Sequence, residues 1–242
     1  MELKNKKLSI LADSISTFEG YSNNTNDNTT IKNNRVYYGG INNSGSTYIT
    51  DVNDTWWKML IDELSMHICV NNSWSGSLVL DSNLDACGYK KRAYNLHNDI
   101  TNTFPDIIFI YLGTNDANRL NLEIKEFNEI EIDNFIKSKQ EPTNFNEAYA
   151  LMLYNVINNY KDATIYAFTL LPFRWIDSKR DDMFYDVMKK TIKHFNINLI
   201  DLHKDCDVTL TFDYFAEEGF VHPNKKGMEA IKECVKRKLL RD

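Results

Sequence analysis

Apolar positions in this chain fall into short blocks separated by longer amphipathic stretches. Leu8, Ile10 and Leu11 form the first block, which stops at Ala12-Asp13-Ser14. Ile68-Cys69-Val70 forms the second and runs out into Asn71-Asn72-Ser73-Trp74-Ser75-Gly76-Ser77. The third is the longest, six residues from Ile107 to Leu112, opened by Pro105-Asp106 and closed by Gly113-Thr114-Asn115-Asp116. An uninterrupted run of that kind predicts a strand covered on both faces. Residues 164–171 and 198–202 supply a fourth and a fifth strand.

Between the blocks the apolar spacing is helical. Trp57, Leu60, Ile61 and Leu64 follow Asp54 or Thr55, either of which suits the N-cap. Ala148, Leu151, Met152, Val156 and Ile157 share one face of a helix over 147–160. Further helices are expected near 89–98, 181–195 and 228–240. Strands alternating with helices predict a right-handed, doubly wound parallel sheet with helices on both faces. With no internal repeat and no second boundary, residues 1–242 read as one domain. Two polar stretches without periodicity, 22–50 and 117–142, read as loop insertions. The first is rich in Asn and Thr and flanked by Phe18, Tyr21, Tyr37 and Tyr38. A loop that long at the mouth of a sheet is more often functional than idle.

Composition narrows the function. At 43% hydrophobic and 26% charged, the chain is an ordinary globular one. A net charge of −6, with no dense basic cluster, speaks against a nucleic-acid partner. Cys69, Cys87, Cys206 and Cys234 lack ligand-like spacing and read as reduced thiols, so no metal is expected. No run approaches ~18 apolar residues, so no membrane partner is expected. The start MELKNKKLSI lacks an apolar signal core, which makes a cytoplasmic location the expectation. Nothing in the sequence sets the oligomeric state.

Parallel strands bring their carboxyl ends to one edge, where residues remote in sequence converge. Ser14 follows the first strand, and a serine hydroxyl needs a base and an oxyanion hole to act as a nucleophile. By itself Asp13-Ser14 is better explained as a helix cap. The distant His222, in Val221-His222-Pro223-Asn224, supplies a base and changes that balance. His203, just past the fifth strand, is the alternative base, whereas His67, His97 and His194 read as structural. Gly76 offers an unshielded amide and Asn115 a side-chain NH₂ to an oxyanion. Trp56 and Trp57 read as helix anchors. Asp13, Trp74, Trp175 and Tyr21 are the candidates for substrate binding, because aromatic faces stack on sugar rings.

Ala12-Asp13-Ser14-Ile15-Ser16, Ser75-Gly76, Gly113-x-Asn115-Asp116 and His222-Pro223-Asn224 resemble, in order, the four sequence blocks of the SGNH (GDSL-type) hydrolases. The resemblance spans most of the chain. It implies a flavodoxin-like three-layer α/β/α sandwich with a five-stranded parallel sheet, and ester hydrolysis without cofactor or metal. It assigns Ser14 as nucleophile, His222 as base, and the Ser14 amide, the Gly76 amide and the Asn115 side chain as oxyanion hole. Residues 16–21 are also similar to bacterial members grouped with carbohydrate esterases, so the implied partner is a small-molecule or oligosaccharide ester, acetyl esters first. Two positions depart from the pattern. Ala12 replaces the usual Gly, and Gly219 stands where the family carries its acid, three residues before the His. Glu218 is the substitute acid, ahead of Glu217 and Asp213. Rival readings are a short-chain acyl ester, lysophospholipid or thioester hydrolase, and an acyl-glycan binder that has lost turnover. A flavin or phosphate binder would need a Gly-rich cradle after the first strand, which is missing.

Overall fold

The computed structural model of the chain describes residues 2–21, 36–39, 49–80, 88–119, 121–172, 178–216 and 221–241. Five strands form one sheet: β1 Lys7–Ala12, β2 His67–Ser73, β3 Ile107–Tyr111, β4 Thr164–Phe168 and β5 Asn198–Ile200. Every pairing is parallel, in the order β2-β1-β3-β4-β5. That is the flavodoxin-like order, which reverses direction between β1 and β3 and opens a crevice at their carboxyl ends. Ser14 leaves one side of this crevice and Asn115 the other.

Eight helices among the described residues complete the layers: α1 Trp56–Glu63, α2 Lys91–Tyr94, α3 Thr114–Asn118, α4 Glu129–Ser138, α5 Phe145–Asn159, α6 Ser178–His194, α7 Leu202–Asp205 and α8 Lys225–Leu239. On one face α1 packs beside α8, and Trp56 of α1 lies against Phe109, Tyr111 and Phe168 at 6.1, 6.5 and 5.7 Å between ring centroids. Strand side chains alternate, so Ile108 and Ile110 face the opposite layer, where α5 packs against α2, α4 and α6. All five residues of β3 are buried, as expected of a doubly covered strand. Burying each such ring or branched chain stabilises the fold by about 1.5–3 kcal/mol.

Three elements differ from the sequence expectation. β2 continues through Asn71, Asn72 and Ser73, all buried. Their polar side chains are accommodated because each has a partner, as when Asn71 Nδ2 donates to the Ser16 carbonyl at 3.0 Å and Asn72 Nδ2 to that of Asn95 at 3.1 Å. The helix expected over 89–98 shrinks to α2, since Asn98 and Thr103 pair as an antiparallel bridge just beyond it. The stretch 117–142 is no plain loop, for it contains the end of α3 and all of α4. Asn128 caps α4 with its side-chain oxygen, and only Ile132 is buried, so apolar periodicity left no signal there. Of the expected insertion 22–50, residues 22–35, 40 and 41–48 lie outside the described residues. Val36, Tyr38 and Ile49 belong to the buried interior. No helix among the described residues is long and apolar enough to cross a membrane.

Candidate active site

The site is built from three strand ends and the approach to α8. Past β1 the chain enters a single 3₁₀ turn, Ser14–Ser16, with Asp13 as its cap: Asp13 Oδ1 accepts the Ile15 amide at 3.1 Å. Thr17 Oγ1 donates to the Ser14 carbonyl at 2.8 Å, and Ser16 accepts Trp56 Nε1 at 3.1 Å. These bonds fix where the Ser14 hydroxyl points. It meets His222, whose Nε2 lies 2.9 Å from Ser14 Oγ.

His222 is held by the entry to α8. Asn224 caps that helix, its side-chain oxygen accepting the Gly227 amide at 3.1 Å. Its Nδ2 donates to the carbonyls of Phe212 and Asp213 at 3.0 and 3.1 Å, and the His222 carbonyl accepts the Ala216 amide at 3.0 Å. Residues 212–216 and 222–224 are thereby tied into one unit. Gly227 is required for close approach, because a Cβ there would lie 2.3 Å from the Tyr214 carbonyl oxygen.

Opposite Ser14, the Ser77 amide donates to the Trp74 carbonyl at 3.2 Å, closing a turn with Gly76 at φ +71°. That is the glycine position of a type II turn. A Cβ at Gly76 would meet nothing within 4 Å, so the space beside it is open. Asn115 Nδ2 donates to the Ser77 carbonyl at 2.8 Å and anchors the turn beside Ser14. The neighbouring Asp116 is fully buried and accepts the Val79 amide at 2.8 Å and the Leu80 amide at 3.1 Å. Asn115 and Asp116 together hold residues 77–80.

Burial pushes the Asp116 carboxyl up to about 7, against the pull of those amides. Its unfolded value is near 3.8, so between the two values the folded state holds the extra proton. Stability therefore falls as pH rises through that window. Asp116→Asn is expected to flatten that slope. It is expected to cost little at pH 5, where the wild-type carboxyl is itself uncharged and one oxygen, Oδ1, lies within reach of both the Val79 and Leu80 amides at 3.0 and 3.1 Å. Denaturant unfolding at pH 5 and 8 checks both; an unchanged slope would remove Asp116 as its source.

Two residues absent from the sequence expectation complete the surroundings. Arg92 is buried behind the β1 and β2 ends, and its guanidinium donates to the carbonyls of Ala12 and Asn72. A lone Arg in a weak helix gives no signal of that in sequence. Tyr37 is stacked on the His222 ring, with centroids 3.5 Å apart and planes 11° apart. It had been visible only as one of the aromatics flanking a polar loop.

The remaining predicted residues fare differently. Asp13 is fully buried, its Oδ1 serving as a cap, and desolvation raises its carboxyl while Thr114, Ile15, His222 and Arg92 pull the other way. Trp74 is likewise 8% exposed, its ring covered by the Arg92 guanidinium 5.7 Å from the centroid, which leaves little face for a sugar. Tyr21 is 44% exposed and rests against Phe18 and Trp57. Trp175, Glu217 and Glu218 lie outside the described residues. Asp213 is exposed and paired with Lys226 at 3.7 Å. His203 stacks on Tyr185, and His194 joins α6 to α4 through Asp133 at 2.9 Å. Among the described residues no cluster of three or more His, Cys, Asp or Glu is placed to hold a metal ion.

A serine hydroxyl hydrogen-bonded to an imidazole at the strand ends of a parallel sheet is an arrangement suited to acyl transfer. Comparison with known proteins agrees. Residues 6–239 match the family described as GDSL-like lipase/acylhydrolase. No curated protein matches the chain. Among solved structures, a candidate GDSL-like lipase from Bacteroides ovatus is 26% identical with a TM-score of 0.63, covering 99% of this chain and 100% of its own. One from Bacteroides uniformis is 25% identical with a TM-score of 0.67, covering 98% and 97%. An acetyl esterase variant with bound acetate shares the fold at 16% identity and a TM-score of 0.56, covering 98% and 97%.

Proposed function

The chain belongs to the GDSL-like lipase/acylhydrolase family, and on that premise we propose that it is a serine esterase that removes short acyl groups, acetyl first, from carbohydrate esters. The observation that carries the reading is the 2.9 Å contact between His222 Nε2 and Ser14 Oγ, two groups 208 residues apart.

In the proposed reaction Ser14 Oγ attacks the ester carbonyl while His222 Nε2 takes the hydroxyl proton. The carbonyl oxygen becomes an oxyanion, which the amides of Ser14 and Gly76 and the Asn115 carboxamide receive. The tetrahedral intermediate collapses, the sugar alkoxide leaves with the proton from His222, and the acyl group stays on Ser14. Water, deprotonated by the same imidazole, then releases the carboxylic acid and restores Ser14. Binding alone would not call for a base placed on a nucleophile, which favours turnover over a glycan-binding role.

Glu218 remains our choice for the carboxylate behind His222, on its sequence position. Turnover by Glu218→Gln, measured beside Glu217→Gln and Asp213→Asn, tests it; a Glu218→Gln enzyme as fast as wild type removes that residue from the site. The carbohydrate part of the reading rests on the resemblance of residues 16–21 and on the exposed Tyr21 ring. Acetylated oligosaccharides incubated with the protein should lose acetyl groups one at a time by mass spectrometry, and Ser14→Ala should not release them. Turnover confined to simple acyl esters would leave the esterase and remove the sugar.

A further inference from the structure

We propose that Tyr37 is a positioning residue for the base: its ring holds the His222 imidazole on Ser14 and stabilises the imidazolium that forms during turnover. The inference rests on the Ser14–His222 reading above and deepens it.

The stack is flat and close, 3.5 Å between centroids and 11° between planes. The face of a phenol ring is electronegative and attracts a cation placed over it more strongly than a neutral ring. His222 is neutral before it accepts the Ser14 proton and cationic afterwards. The contact therefore strengthens on the way to the transition state, and such contacts raise kcat more than they lower KM. Covering one face of the imidazole also restricts its rotation, which keeps Nε2 directed at Ser14 Oγ.

The backbone of Tyr37 is tied to the nucleophile itself. Its amide donates to Thr17 Oγ1 at 2.9 Å, and the same Thr17 hydroxyl donates to the Ser14 carbonyl at 2.8 Å. One hydroxyl thus sets the turn that carries the nucleophile and the ring that carries the base. Tyr38 secures the other side. It lies edge-on to Tyr37 at 4.8 Å, and its hydroxyl donates to the Pro223 carbonyl, next to His222, at 3.0 Å. The bland alternative is that both tyrosines only fill space. Tyr38, fully buried, is accounted for by packing and by its bond to Pro223. Tyr37 is not, since it is half-buried and spends its face on a polar ring.

The test compares Tyr37→Phe, Tyr37→Trp and Tyr37→Leu with wild type on a chromogenic acetate ester, and follows the rate at which a serine-reactive phosphonate labels Ser14. Phe and Trp keep the aromatic face and should hold kcat within about twofold, whereas Leu should lower kcat and labelling about 5- to 30-fold with KM little changed. A spectroscopic signature accompanies this. The His222 ring protons should carry the upfield ring-current shift of a stacked imidazole in wild type and Tyr37→Phe, and lose it in Tyr37→Leu. The proposal is overturned if Leu matches wild type, if Phe falls as far as Leu, or if the wild-type shift is missing. Should the Leu variant not fold, the Phe and Trp variants and the wild-type spectrum still decide. A wild type that neither turns over esters nor labels would overturn the hydrolase reading and this proposal with it. A competent wild type with an indifferent Leu variant overturns the proposal alone.

Discussion

Ser14→Ala is expected to lower kcat for ester hydrolysis by about 10⁴–10⁶-fold while leaving the fold in place, the scale seen when the nucleophile of a serine hydrolase is deleted. The Ser14 hydroxyl is the one that His222 Nε2 meets, at 2.9 Å. The side chain removed is small, and the turn it sits in is fixed by the Asp13 cap, the Thr17 hydroxyl and Trp56, none of which uses the Ser14 hydroxyl. Losing the single bond to His222 costs the folded state about 0.5–1.5 kcal/mol. Circular dichroism and a thermal melt should therefore be near wild type while turnover vanishes. A phosphonate should label Ser14 in the wild type and nothing in the variant. Residual turnover at the wild-type rate, or a label on another serine, would end the assignment.

Asn115→Ala is the second large effect, an expected fall in kcat of about 10²–10³-fold with a smaller change in KM. The carboxamide is proposed to donate to the oxyanion, a charge absent from the ground state, so its loss belongs to kcat. The same Nδ2 also donates to the Ser77 carbonyl. Truncation frees the turn that carries Gly76, so two oxyanion donors are disturbed by one change. Asn115→Asp keeps the size, removes both donors at that atom and sets a negative charge beside the oxyanion, so its fall in kcat should be at least as large. A loss confined to KM in either variant would recast Asn115 as a ground-state contact.

Much of the architecture was legible because it follows from apolar runs. β1 and β3 announce themselves, and a run buried on both faces has few other readings. Ser14, Gly76 and Asn115 stood out because each follows such a run, and His222 because it comes just before the last helix; of these the structure brings Ser14 and His222 into contact. What the sequence concealed was polar. α4 buries only Ile132, so no periodicity could reveal it. The Asn71-Asn72-Ser73 end of β2 looks like a loop until Ser16, Asn95 and Arg92 supply its partners. Asp13 is instructive: a carboxylate beside a nucleophile invites a substrate role, whereas the structure shows it buried, with Oδ1 accepting the Ile15 amide. Tyr37 shows the converse, a residue in a polar, irregular stretch whose place on His222 no spacing rule could supply.

The distance along the chain between Ser14 and His222 also sets when activity can arise. A polypeptide leaves the ribosome from its amino end at about 5–20 residues per second, so roughly 10–40 s separate the emergence of the hydroxyl from that of its base. β1 needs β2 and β3 as neighbours, and the unit that carries His222 needs α8 behind it. Until that last helix docks, a nascent chain holds an unactivated serine. Arrest of translation anywhere before His222 should yield ribosome-bound chains that do not react with a phosphonate. The hydroxyl thus gains its base only once the helix that follows His222 has been made and has docked.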